Sequence, residues 1–425
     1  MSPLSIHASQ PSPELFELPW ELPLQDWPQE TVAALPKGIS RHVVRFVHLA
    51  DHLVAVKETT EELARREYDL LKSLGRLEAP AVEPVAIVSD RRSAEGESLP
   101  PALVTRHLKF SLPYRAVFSH TLRPETATRL VDAMALLLVK LHLEGFYWGD
   151  VSLSNTLFRR DAGAFAAYLV DAETGALHPG GLSPGQRESD LEIARVNVAG
   201  ELLDLHAGAR LDPDIDAVEM AGSIVESYRS LWEALTSQET FDRSERWRIR
   251  ERIDKLNTLG FDIEELSMAS DESGTTLSIQ PKVVDSGHHQ RRLIRLTGID
   301  AGENQARELL NDLDSYRATF YPDQAVDEEM LAHEWLTRVF EPVVRAIPRD
   351  LRTKLEPAEV FYQLLHHRAR LSRAQDRDVS LAEALSVYID DVLVHRRDEA
   401  TVMGPPTGAI TPPHPTGELN WRDLV

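Results

Sequence analysis

The chain has 425 residues, 42% of them hydrophobic and 27% charged, which is ordinary for a folded protein and enough for two or three domains. A formal charge of −22 makes the surface repel phosphate backbones and anionic lipid, so general nucleic-acid and membrane-surface binding are disfavoured, with room left for a local basic patch around Arg291, Arg292 and Arg295. Cysteine is absent, which removes disulfides, thiolate metal sites and cysteine nucleophiles.

The first residues, Met1 to Pro13, are polar and lack a basic region ahead of an apolar run, so no secretory signal is expected. No apolar run approaches the ~20 residues that cross a bilayer. The longest, Ala133 to Leu141, is short and carries Lys140. A cytoplasmic location without a membrane span is the expectation. The opening stretch is rich in Ser and Pro and reads as loosely attached.

Two short strands are expected over His42–Val47 and His52–Val56, with a turn near Ala50 and Asp51. Glu61–Leu77 reads as a helix. Leu103–Thr105 reads as a buried strand. Glu125–Glu144 reads as a long helix, with Pro124 near its start and Gly145 just past its end. Thr156–Phe158 and Tyr168–Val170 read as strands around the turn Asp161-Ala162-Gly163-Ala164, and Ile193–Leu205 as a helix. Beyond residue 215 the texture changes. Helices are expected over Ala217–Ala234, Ser244–Leu259, Asn304–Tyr316, Glu328–Ala346, Pro357–Arg370 and Leu381–Val394. Strand character is expected over Thr276–Val284 and Arg292–Leu296. From Gly404 onward five prolines give an extended tail.

Phosphoryl transfer asks little covalent chemistry of a protein. It needs a cation on the phosphates, oxygen ligands for magnesium and a carboxylate beside the attacking hydroxyl. Lys57 closes the apolar run Leu53-Val54-Ala55-Val56, where a strand-end lysine can reach into a cleft and pair with phosphates. Taken alone, such a lysine is most simply a solvated one. Glu67 lies on the helical stripe of Leu63, Leu70, Leu71 and Leu74, and a carboxylate on a buried face needs a partner, which Lys57 supplies. Glu61 and Glu62 fall in the first turn, where they complement the helix dipole. Downstream, a helix ends at Gly145, and Asp150 and Asn155 follow between it and a short strand. In a kinase catalytic loop that Asp orients the attacking hydroxyl and the Asn ligates magnesium. Asp171, after the strand Tyr168-Leu169-Val170, stands where a second magnesium ligand belongs. The plainer reading of Asp171 is a turn aspartate.

These segments resemble the protein-kinase-like superfamily, nearer its atypical and small-molecule branches than ordinary protein kinases. Trp148-Gly149-Asp150 with Asn155 resembles the His-Gly-Asp…Asn loop of aminoglycoside and choline phosphotransferases, and Asp171-Ala172-Glu173 resembles their Asp-x-Glu. The overall resemblance is to the lipopolysaccharide (Kdo/WaaP) kinase-like domain, found in bacterial proteins fused to a C-terminal domain of unknown function. Two departures stand out. Trp148 takes the place of the usual His, and Gly38 is the only glycine between Leu35 and Lys57. Phosphate clamping by backbone would therefore rest on Gly38-Ile39-Ser40.

The expected fold class is α+β: a bilobal kinase-like N-terminal domain followed by a mostly helical α+β domain. The expected limits are a flexible segment at 1–19, the nucleotide-binding domain at 20–215, the C-terminal domain at 216–400 and a Pro-rich tail at 401–425. The implied cofactors are ATP and magnesium. Asp150 is the expected catalytic residue and Asn155 and Asp171 the metal ligands. Lys57, Glu67, Gly38 and Ser40 are the expected nucleotide-binding residues. The acceptor is a hydroxyl of unknown identity, and the C-terminal domain is the expected place for any protein partner. The alternative is a pseudokinase or scaffold that binds nucleotide, or only a partner, without turnover. His288-His289 and His366-His367 are not read as metal ligands, because adjacent side chains diverge on a helix or a strand. Ser152 and Ser154 lack a serine-hydrolase elbow.

Overall fold

The computed structural model describes residues 4–9, 12–33, 42–49, 52–118, 122, 124–242, 256, 261–270, 276–322, 326–396 and 398–400. They form two compact units. One runs to Val225 without Arg159–Ala166, and the other joins that segment to Glu226–Ala400. The parting at Glu226 lies inside the helix Ala217–Thr236 rather than near residue 215. The architecture is α+β, sheet-rich toward the N-terminus and helical toward the C-terminus.

The first unit opens on an antiparallel sheet of β1 (Ser5–Ala8), β2 (Val44–Leu49), β3 (His52–Glu58), β4 (Pro84–Ser89) and β5 (Ala102–Arg106), in the order 1-4-5-3-2. Side chains alternate between the two faces of a strand. Val54 and Val56 of β3 join a core closed by Leu15, Trp20, Leu24 and Trp27. Lys57 therefore points to the opposite face, where α1 (Glu61–Arg76) packs Ala64 and Tyr68 against Ile87 and Leu103. The Thr60 hydroxyl caps α1 by accepting from the Leu63 amide.

The opening residues correct one expectation. Ser5–Ala8 is an edge strand paired with β4, and Leu15 is buried, so the described part of 1–19 is built into the sheet. Trp20, Leu24 and Trp27 stand at helical spacing, but Pro19, Pro23 and Pro28 interrupt a helix, and the segment forms only short 3-10 turns at Pro13–Glu17 and Leu24–Asp26.

The rest of this unit comprises β6 (Leu112–Pro113), α2 (Tyr114–Val117), α3 (Pro124–Leu143), β7 (Phe146–Tyr147), the parts outside Arg159–Ala166 of β8 (Thr156–Asp161) and β9 (Ala164–Leu169), β10 (Ala176–Leu177) and α4 (Pro184–Ala207). Buried Leu130, Met134, Leu137, Leu138 and Leu141 make α3 the apolar centre. Antiparallel pairing of β7 with β10 brings the segment after α3 beside the segment after β9. A capping box of Ser183 and Gln186, with Pro184 in the first turn, starts α4.

In the second unit, helices His288–Thr297, Glu303–Phe320, Glu328–Trp335, Pro357–Gln375 and Leu381–Tyr388 enclose Trp335, Phe340, Phe361, Leu309 and Leu364. Strands Glu239–Asp242, Phe261–Ser270 and Thr276–Ser286 form an antiparallel sheet. Arg292–Leu296, expected as a strand, is helical: Leu293 and Leu296 are buried three residues apart, whereas Ile294 is exposed. The β8–β9 turn belongs to this unit by its contacts. The buried Asp161 carboxylate accepts from the Gln305 amide at 2.8 Å and the Asn304 amide at 3.2 Å, capping helix Glu303–Phe320 from a distant point in the chain. Arg160 pairs with Glu399 at 2.9 Å, and Arg159 pairs with Glu356.

Gly38, Ser40, most of the expected helix Ser244–Leu259 and the tail 401–425 lie outside the described residues. No helix among the described residues is long and apolar enough to cross a membrane.

Candidate active site

Lys57 ends β3 on the face covered by α1, and its ammonium is 2.7 Å from Glu67 Oε2, so the pair expected between strand and helix is formed. The same ammonium lies 3.0 Å from Asp171 Oδ2 and 3.1 Å from Glu173 Oε2. Three carboxylates thus surround one cation, with their oxygens within 4.8 Å of one another. Burial alone would lower the Lys57 pKa; the attraction of Glu67, Asp171 and Glu173 outweighs it and raises it. Glu67 is pushed up to about 8, first by burial and then by the Asp171 charge, against the pull of Lys57. A surplus of carboxylate oxygens over local positive charge is a donor set suited to a hard divalent cation.

The segment around Asp150 is joined to the segment around Asp171. Trp148 is fully buried, and its indole N–H donates to the Asp171 carbonyl at 3.0 Å. Thr174 Oγ1 donates to the Trp148 carbonyl at 2.9 Å, and the Val170 amide to the Asn155 carbonyl at 3.0 Å. Trp148 fills the space and supplies a donor. Gly149 has φ +75°, and a Cβ there would come within 3.3 Å of the Thr174 carbonyl oxygen, so both torsion and space require glycine. Asn155 Nδ2 donates to the Asp150 carbonyl at 3.1 Å and to Asp150 Oδ2 at 3.2 Å. Neither bond uses the Asn155 amide oxygen, the one atom of that side chain suited to a cation.

Three residues of this site were not named from the sequence, and a fourth, Glu173, was named there only as part of Asp171-Ala172-Glu173. Glu173 stands beside Lys57, and its amide donates to Asp171 Oδ1 at 3.0 Å. The other three sit on α4. Asp190 is fully buried and accepts from the Trp148 amide at 2.7 Å and the Gly149 amide at 2.8 Å, with His142 Nε2 at 3.2 Å. Asn197 Nδ2 donates to Asp150 Oδ1 at 3.3 Å and to the Val151 carbonyl at 3.1 Å. Glu201 accepts from the Leu153 amide at 2.7 Å and the Ser154 amide at 2.9 Å, and burial raises its pKa. Asp190 falls in register with the buried Ala194 and Val198, which is the same signal that singles out Glu67. Glu201 lies on that same stripe, three residues after Val198 and four before Leu205, and Asn197 stands at its edge, three residues after Ala194.

The C-terminal region has a recognisable counterpart. Residues 230–393 match a domain of unknown function, DUF4032. No curated protein matches the chain. A solved structure of WaaP in complex with acyl carrier protein is similar over 60% of this chain and 99% of that one, at 16% sequence identity and a TM-score of 0.35.

Proposed function

We propose that the first unit is an ATP- and magnesium-dependent phosphotransferase acting on a hydroxyl. The observation that carries this reading is the meeting of Lys57, Glu67 and Asp171 at 2.7–3.0 Å, from a strand, a helix and a loop far apart in the chain. Lys57, braced by Glu67, would neutralise the nucleotide's phosphates. Asn155 and Asp171 would hold magnesium, with Glu173 beside them. Magnesium, when bound, supplies charge neutralisation on the phosphate oxygens. Asp150 would orient the acceptor hydroxyl and receive its proton as the oxygen bonds to the γ-phosphorus. The bond from that phosphorus to the bridging oxygen breaks, and ADP leaves with the electron pair. Any backbone clamp from Gly38 and Ser40 would add to this set.

The test is binding of a fluorescent ATP analogue to the full-length protein, titrated with and without magnesium. Expected are saturable binding that requires magnesium and its loss in Asp171→Ala. Binding that ignores magnesium, or that survives Asp171→Ala unchanged, removes this assignment. Magnesium-dependent binding with no transfer of labelled γ-phosphate to any acceptor, water included, would instead favour a nucleotide-binding scaffold.

A further inference from the structure

We propose that Asn197 is a positioning residue that aims the Asp150 carboxylate; this rests on the phosphotransferase reading above. The last torsion of an aspartate is broad and roughly two-fold, so one hydrogen bond leaves the carboxylate free to swing. Here each oxygen has its own amide donor: Asn155 holds Oδ2 at 3.2 Å and Asn197 holds Oδ1 at 3.3 Å. The two donors arrive from different elements, the loop itself and α4. Together they define the plane of the carboxylate.

Proton counting separates Asn197 from the residues that would meet substrate. A side-chain amide nitrogen carries two hydrogens. Asn197 uses one on Asp150 Oδ1 and the other on the Val151 carbonyl at 3.1 Å. Neither remains for a ligand, so its influence on the reaction passes through Asp150. The mount is rigid on both sides. Asp190, seven residues earlier on α4, holds the amides of Trp148 and Gly149, and Glu201, four residues later, holds those of Leu153 and Ser154. These spacings put the three side chains on one helix face, directed at successive parts of one loop.

The experiment uses full-length protein and γ-labelled magnesium ATP with water as acceptor, comparing wild type, Asn197→Ala, Asn197→Asp and Asp150→Ala. Asn197→Asp is nearly isosteric and faces Asp150 with a like charge; Asn197 is only half-buried, so both substitutions are compatible with folding. Expected is a fall in kcat of about tenfold to a hundredfold in both Asn197 variants, with KM for ATP within about twofold of wild type. A merely structural role would change thermal stability and leave kcat per folded molecule intact. If Asp150→Ala abolishes turnover while both Asn197 variants keep wild-type kcat, the positioning role is overturned and the phosphotransferase reading stands. If Asp150→Ala turns over normally, both fall. Crystal structures of wild type and Asn197→Ala read the carboxylate without needing turnover. Rotation by more than about 30° supports the inference, and an unmoved carboxylate overturns it.

Discussion

Replacing Asp190 by Ala tests how the loop that carries Asp150 is held. The wild-type carboxylate is fully buried and accepts from two backbone amides, Trp148 at 2.7 Å and Gly149 at 2.8 Å. Alanine removes both acceptors; the Trp148 bond is buried and the Gly149 bond partly so. A buried donor left without a partner costs about 1–3 kcal/mol, so the Trp148 amide alone costs that much, with the Gly149 amide and His142 adding to the loss. Set against a typical domain stability of about 5–15 kcal/mol, that is a large fraction. Asp190→Asn keeps one acceptor oxygen but presents an N–H to the other amide, so it should recover only part of the loss. Urea unfolding followed by tryptophan fluorescence, extrapolated to zero denaturant, gives the difference. A loss below about 1 kcal/mol for Asp190→Ala would refute the reasoning, because it would mean that the two amides find other partners or are not desolvated.

Two further outcomes are expected. Lys57→Met leaves Glu67 buried without its cation and should destabilise the protein by about 3 kcal/mol, whereas Lys57→Met with Glu67→Met should restore much of that stability without restoring nucleotide binding. Thermal melts together with the fluorescent-nucleotide titration separate the two effects; a double variant no more stable than the single one would contradict the pairing. Burial holds the His107 pKa down to about 4, from an ordinary 6.5, so the folded protein keeps this ring neutral while the unfolded chain protonates it. Its contribution is present above pH 6.5 and is lost as pH falls toward 4, by up to about 3 kcal/mol. Unfolding free energies at pH 7 and pH 5 should therefore differ less in His107→Gln than in wild type, and an equal difference in both would exclude His107 as a cause.

The local patterns in the chain were sufficient for the elements that bear the candidate site. An apolar run ending in Lys57, a helix with Glu67 on its apolar stripe, and Asp150 and Asn155 between a helix and a strand are short-range features, set by side-chain period and turn chemistry. Proximity is another matter. That Lys57 meets Glu173 as well as Asp171, and that the Trp148 indole bonds to the Asp171 carbonyl, follows from sheet order and from the pairing of β7 with β10. No periodicity encodes those long-range contacts. Asn197 and Glu201 fall on or beside the apolar stripe of α4, which marks them as needing partners, but only the path of the loop over α4 shows which groups those are. Trp20, Leu24 and Trp27 stand at helical spacing in a segment that its prolines keep from being a helix, and only the packing shows that with Leu15 they cover a sheet face. Asp161, legible only as a turn residue, caps a helix more than a hundred residues away in the second unit. Local chemistry chose the strands, helices and turns. The burial of polar groups, each requiring a partner from elsewhere in the chain, decided which of them meet.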